Sequence, residues 1–276
     1  MADTASTPTT GKLERVGRVF DGPLAGLVPW IVLGGFDGPG RVPWVAAIAL
    51  ALSLLFIALD HFRGRSPKLL GIVDVVFFAA LLVLSLFISP GGLEWLEVWL
   101  GEICNITLTL IAVLSMLFGV PFTIQYARET TDRQFWHMRG FIRVNYIITG
   151  VWAASFFVSA VAGFYGDAVL KNSNNLWTGW IIQIGANLLA LQFTLWYPAV
   201  ARSRAARAQG NPAEPEPPLS ALFAPLAVWF IPIGILTMVT DAGPTWLGIG
   251  FIVIGALLGN ALRQRVEANS ARNSVA

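Results

Sequence analysis

The chain has 276 residues, 55% of them hydrophobic and only 12% charged, with a formal net charge of +2 and a mean hydropathy of +0.67. A soluble domain carries about 25% charged residues, so a soluble globular fold is excluded and an all-α transmembrane helix bundle is expected. The apolar runs are continuous rather than alternating, which argues against a β-barrel, and the single cysteine, Cys104, excludes an intrachain disulfide or a cysteine metal cluster.

Residues 1–21 are polar and lack the short apolar core and small-residue cleavage site of a secretory signal. They read as a disordered, basic cytoplasmic tail. A helical span needs about 20 apolar residues, and in lipid each backbone group must be paired within the element, which favours helices. Eight segments qualify: 22–36, 43–59, 69–88, 101–122, 146–165, 176–199, 220–240 and 244–262. The first is short and contains Pro29, so it either spans or forms a re-entrant element. "FDGPLAGLVPW" at 20–30 is echoed by "FDGPGRVPW" at 36–44. The echo reads either as a pair of broken half-helices of the kind transporters use or as two turns followed by Pro and an interfacial Trp.

Basic residues set the orientation. With the N-terminus in the cytoplasm, alternation places Lys12, Arg15, Arg18, Arg63, Arg65, Lys68, Arg128, Arg133, Arg139, Arg143, Arg202, Arg204, Arg207, Arg263, Arg265 and Arg272 inside, leaving only Arg41 and Lys171 outside. The outer segments hold Asp37, Glu94, Glu97, Glu102, Asp167 and Asp241. This is the positive-inside pattern, and it predicts eight crossings with both termini cytoplasmic. The corresponding organisation is a six-span bundle over 22–199, a mobile cytoplasmic linker over 200–219 ("VARSRAARAQGNPAEPEPPL"), a terminal helix pair over 220–262 and a cytoplasmic tail over 263–276.

An ionisable group inside the membrane is costly and marks a functional hypothesis. Asp74, six residues into "LLGIVDVVFFAALLVLSLF", is the clear case. It is expected either to pair with Arg65 or Lys68 as a structural contact, or to serve as a proton or cation site. "GGLEWLEVWLGE" at 91–102 reads as an external interfacial helix, with Trp95 and Trp99 as a headgroup anchor and its acids facing water; an acidic vestibule for cations is the sharper alternative. Asn105 and Thr109 lie one turn apart, and Gln183, Asn187 and Thr194 form a polar stripe on the sixth segment. Such stripes face protein or a wet cavity, so they point to interhelical hydrogen bonding or to a substrate path.

The segment "TIQYARETTDRQFWHMRGFIRVN" at 123–145 concentrates charge. Thr131 followed by Gln134 resembles a capping box. Phe135, Met138 and Ile142 then give one apolar face, opposite Arg133, Trp136, Arg139 and Arg143. This predicts an interfacial helix near 131–143 lying on anionic headgroups, with a protein-docking face or a substrate site as alternatives. Tyr126, Arg128 and Glu129, just before it, are candidates to turn inward toward Asp74. Packing seams are expected at Ser155, Ser159 and Gly163, and at Gly248, Gly255 and Gly259, the latter also a face for homo-oligomer contact.

No metal site, P-loop, dinucleotide fingerprint or nucleophile elbow is present. Both histidines, His61 and His137, fall in expected loops, which counts against a transmembrane haem. No cofactor and no nucleic-acid partner are expected; the expected partners are lipid and other membrane proteins.

Pro29-Trp30 in the opening apolar segment, the Ala-rich "WVAAIALALSLLF", Arg63–Lys68 and "LLGIVDVVFFAALLVLSLF" together resemble the intracellular septation protein A group of bacterial polytopic membrane proteins, over residues 24–88. The resemblance implies an envelope-linked inner-membrane protein and carries over no catalytic residues. The chain departs from that group in its larger number of segments and in its long 123–145 stretch. Three functions follow as expectations: a non-catalytic envelope or septation scaffold, a small-molecule or ion transporter using Asp74 and the sixth-segment stripe, and, third, a lipid-modifying enzyme.

Overall fold

The computed structural model describes residues 23–36, 38–172, 175–239 and 244–275. The tail at 1–21 and the acids Asp37 and Asp241 lie outside these residues, as do the side chains of Arg263 and Arg272. Among the described residues every regular element is helical: α1 (Pro23–Phe36), α2 (Val42–Phe62), α3 (Leu69–Phe87), α4 (Pro90–Leu117), α5 (Phe122–Glu129), a 3-10 turn (Arg133–Phe135), α6 (Arg139–Phe164), two π-helical turns (Tyr165–Val169 and Leu176–Ile181), α7 (Ile182–Ala208), α8 (Leu219–Val239) and α9 (Thr245–Val275).

Among the described residues six stretches are long and apolar enough to cross a membrane: Val42–Phe62, Leu69–Phe87, Pro90–Leu117, Arg139–Val169, Leu176–Ala208 and Thr245–Leu262. The expected spans at 22–36 and 220–240 appear as shorter apolar stretches, Gly26–Phe36 and Leu219–Ile235. The α3 helix illustrates why these are membrane-type elements. Its buried residues, Leu70, Asp74, Phe78, Leu81 and Ser85, lie on one face, while Ile72, Val76, Val83, Leu86 and Phe87 are exposed. A helix apolar on all sides but packed on only one suits a hydrocarbon surround.

The α4 helix corrects one expectation. Residues 91–102 do not form a separate interfacial helix, because nothing in "LEWLEVWLGEICNITLTLIAVLSML" interrupts the helical run. The helix stops only after Leu117, where Gly119 takes a left-handed φ of 79° and Pro121 cannot continue a helix.

The expected interfacial helix at 131–143 is likewise not one helix. Thr131 is no cap; the turn at 133–135 starts from Asp132 without a side-chain cap bond. The Trp136 indole instead donates to the Thr131 carbonyl at 2.8 Å, and Met138 is extended, so α6 starts only at Arg139. The indole folds the loop into a knot that a continuous helix would break, and Arg133 and Trp136 are separated from the helix that carries Arg139 and Arg143.

The chain divides into two compact units, Met1–Leu100 with Phe118–Trp136, and Gly101–Leu117 with His137–Ala276. In the first, α2 packs against α1 and α3; in the second, α6 packs on α7, α7 on α8, and α8 on α9. The linker expected at 200–219 lies inside the second unit and is helical through Ala208. Beyond it the chain turns back: Ser203 donates to the Glu214 carbonyl at 2.7 Å, Arg204 pairs with Glu216 at 2.5 Å and Trp196 donates to the Pro218 carbonyl at 3.3 Å. The Arg204 hydrogen bond holds the Glu216 carboxyl below its usual range.

The Gly248, Gly255 and Gly259 face, expected as a homo-oligomer surface, is taken up by α8 of the same chain. A Cβ on Gly255 would lie 3.0 Å from the Ala227 carbonyl oxygen, and one on Gly248 would lie 2.8 Å from that of Gly234. Small residues let the two backbones touch, and the short connection at 240–244 makes the neighbour an intrachain one. Gly234→Ala should destabilise this pair by about 1–3 kcal/mol, since its Cβ would meet the Gly248 carbonyl and the Ile252 backbone. Gly259→Ala should be neutral or stabilising by up to about 1 kcal/mol, because Val228 is its nearest neighbour at an ordinary 3.5 Å. Thermal unfolding in detergent checks both; equal loss from the two would mean the seam is not built this way.

Candidate functional site

The first unit centres on Asp74. Its place four residues before Phe78 puts it on the packed face of α3, where it is 1% exposed. The expected partners, Arg65 and Lys68, are not the ones it takes. Trp30 from α1 donates its indole N–H to Asp74 Oδ1 at 2.7 Å. The indole is itself buried, its centroid 4.6 Å from that of Phe77 and 4.9 Å from that of Phe78. The short opening helix therefore contributes the polar partner of the carboxyl and the aromatic wall around it.

Lys68 and Arg65 are committed elsewhere. Lys68 Nζ lies 2.7 Å from Asp60 and 3.0 Å from Glu129, and Arg65 lies 3.4 Å from Glu129. Lys68 immediately precedes α3, about 9 Å of helix rise below Asp74, so its ammonium meets the end of α2 and α5 rather than the interior of α3. Its Nζ also sits 5.0 Å over the Tyr126 ring. Gln125 Oε1 accepts from the Leu69 N–H at 2.7 Å, which satisfies one of the orphan donors at the start of α3.

The junction residues thus part company. Tyr126 and Glu129 turn into this cluster, and Arg128 turns away to lie over Trp136. The Tyr126 hydroxyl reaches α1 at Gly26, where a Cβ would overlap it. Burial raises the Tyr126 phenol well above its ordinary pKa, and the carboxylates of Asp74, Asp60 and Glu129 add to the effect. The phenol therefore stays protonated at neutral pH. Trp30, Asp60 and Gln125 were missed by sequence reasoning. Asp60 carried a usable signal, an acid in the last turn of an apolar segment; Trp30 and Gln125 carried none.

The second unit holds the other polar set. Asn105 donates to Gln183 Oε1 at 3.2 Å, and Gln183 donates to the Thr178 carbonyl at 2.9 Å. Ser155 donates to Asn187 Oδ1 at 3.0 Å, Asn187 lies 3.5 Å from Ser159, and Trp152 donates to Thr194 at 3.0 Å. The stripe therefore fastens α7 to α4 through Gln183 and to α6 through Asn187 and Thr194, and the expected seam at Ser155 and Ser159 is the counterpart of Asn187. Thr109 does not join; its hydroxyl folds back to the Asn105 carbonyl at 2.7 Å.

Glu102, expected to face water, is buried. The continuous α4 helix carries it past the exposed Glu94, and its carboxylate lies where a Cβ on Gly163 would stand, so the glycine makes room for it. Glu97 accepts from the Gly40 N–H at 2.6 Å.

Asp74 on one side, and Gln183, Asn187 and Thr194 on the other, have separate partners within their own units. Among the described residues no group of three acidic, histidine or cysteine side chains has metal-binding geometry. An open groove of about 380 Å³ in the second unit is lined by Phe157, Val158, Val161, Tyr165 and Ile182, with Ala162 and Thr178; none of the stripe residues lines it. What these arrangements provide chemically is interhelical hydrogen bonding and one charge cluster. No family model, curated protein or solved structure matches the chain.

Proposed function

We propose that the protein is a non-catalytic membrane scaffold of the bacterial inner membrane, associated with the cell envelope or septation. In this reading the eight apolar segments cross with both termini in the cytoplasm, and the 123–145 stretch belongs to the cytoplasmic face. The observation that carries the proposal is the state of the in-span polar side chains. Asp74, Asn105, Gln183, Asn187 and Thr194 each bond to a side chain on a neighbouring helix. Such side chains fasten helices together and leave a frame for other membrane proteins to dock on. The resemblance of residues 24–88 to the septation protein A group supports the same assignment.

Transport is the second reading, favoured by one observation: the buried Asp74 lies near Tyr126, which in turn sits beside the Lys68, Glu129 and Asp60 cluster. Reconstitution separates the two. Proteoliposomes carrying the purified protein and an internal pH dye should hold an imposed proton or cation gradient as well as empty vesicles do. A leak that Asp74→Asn abolishes would overturn the scaffold proposal. Photocrosslinkers at positions 139 and 143 in native membranes should give discrete adducts with other membrane proteins.

A further inference from the structure

The loop after α5 gathers two guanidinium groups on one indole. Arg128 lies 5.2 Å and Arg133 5.7 Å from the Trp136 ring centroid. The ring is fixed by its own hydrogen bond to the Thr131 carbonyl. Cations over an aromatic face are attracted by its quadrupole, but two positive groups on one platform repel each other and favour an anion beside them.

One of their donors lacks an acceptor. The Arg128 Nε is buried and makes no hydrogen bond among the described residues. Glu129, the carboxylate next to it in sequence, is taken by Lys68 and Arg65. Asp132 is exposed and makes no ion pair among the described residues. A planar guanidinium with a free edge matches the oxygens of a phosphate in a two-point contact.

The surroundings indicate where that phosphate comes from. Phe135, next to Trp136 in sequence, is 42% exposed. Three residues after Trp136 the candidate span Arg139–Val169 begins. An exposed ring, an indole and two arginines at the end of a span form a composition suited to the headgroup layer.

We propose that Arg128 and Arg133, held on the Trp136 ring, form a binding site for the phosphate of an anionic phospholipid headgroup. This site is independent of the scaffold reading. It is also distinct from a diffuse basic surface, because it depends on two particular guanidiniums and one ring.

Native mass spectrometry of the delipidated full-length protein, titrated with phosphatidylglycerol or phosphatidylcholine, tests it. The wild type should prefer phosphatidylglycerol. Each arginine should contribute about fivefold, so R128Q/R133Q should weaken binding about 25-fold. R128K/R133K keeps the charge but loses the flat, stacked fork, and should still weaken binding about fivefold; it carries the test if the glutamine variant does not purify folded. R139Q/R143Q, which removes the same charge from outside the site, should weaken binding by no more than about fivefold.

Wild-type affinity in R128K/R133K would show diffuse attraction and overturn the proposal. So would equal losses from the 128/133 and 139/143 pairs, or equal binding of the two lipids. Full competition by millimolar inorganic phosphate would assign the site to a free anion and overturn the lipid as its occupant.

Discussion

Lys68→Met is expected to destabilise the first unit by about 3 kcal/mol, at the low end of the 3–5 kcal/mol range for breaking a buried ion pair. The methionine keeps most of the stem's packing and removes only the ammonium. That ammonium is the contact Asp60 and Glu129 share, and the Lys68, Asp60 and Glu129 side chains are 10%, 17% and 14% exposed. Without it two carboxylates face each other with little water. Arg65 can offset Glu129, at 3.4 Å, whereas the cation on the Asp60 carboxylate is Lys68 itself, at 2.7 Å. The residual exposure places the effect at the low end. Adding Asp60→Asn and Glu129→Gln should recover most of the loss, because a neutral triad leaves no buried charge uncompensated. The measurement is the unfolding midpoint in mild detergent, followed by size-exclusion fluorescence. If Lys68→Met leaves the midpoint unchanged, the cluster is solvated and does not fasten α2, α3 and α5.

That cluster also marks the boundary of what could be read from sequence. The α3 helix was legible almost to the residue, expected at 69–88 and found at Leu69–Phe87, because length and unbroken apolar composition define a span. The Gln183, Asn187 and Thr194 stripe was legible as a face, since helical spacing is local information. The identity of a partner is not local. Trp30 lies 44 residues from Asp74 and looks like any other aromatic in an apolar run. The glycines of α9 likewise indicated a seam without indicating which helix fills it. At 131–143 one local pattern, Thr131 with Gln134, lost to another, the Trp136 indole five residues on bonding the Thr131 carbonyl. That same contact brought Arg128, expected to turn toward Asp74, onto the indole instead.

Trp30→Phe should destabilise the first unit by about 1–3 kcal/mol while keeping its fold. The phenyl ring retains contact with Phe77 and Phe78, but the indole hydrogen bond to Asp74 is lost, leaving a carboxyl that is 1% exposed without that donor. Asp74→Asn keeps a carbonyl oxygen at the accepting position and should cost less. Asp74→Leu alone leaves the indole N–H unpaired, and the double variant W30F/D74L removes both halves. Its stability should return toward wild type, since deleting a buried polar pair together is far milder than orphaning one member. The resulting double-mutant cycle measures the coupling, and a coupling near zero would mean that the 2.7 Å contact contributes no stability. The same double variant separates the two functional readings without confounding by misfolding. A folded W30F/D74L protein that keeps its crosslinked partners makes Asp74 a pin between α1 and α3. A folded double variant that loses a gradient leak present in the wild type makes Asp74 a transport group instead.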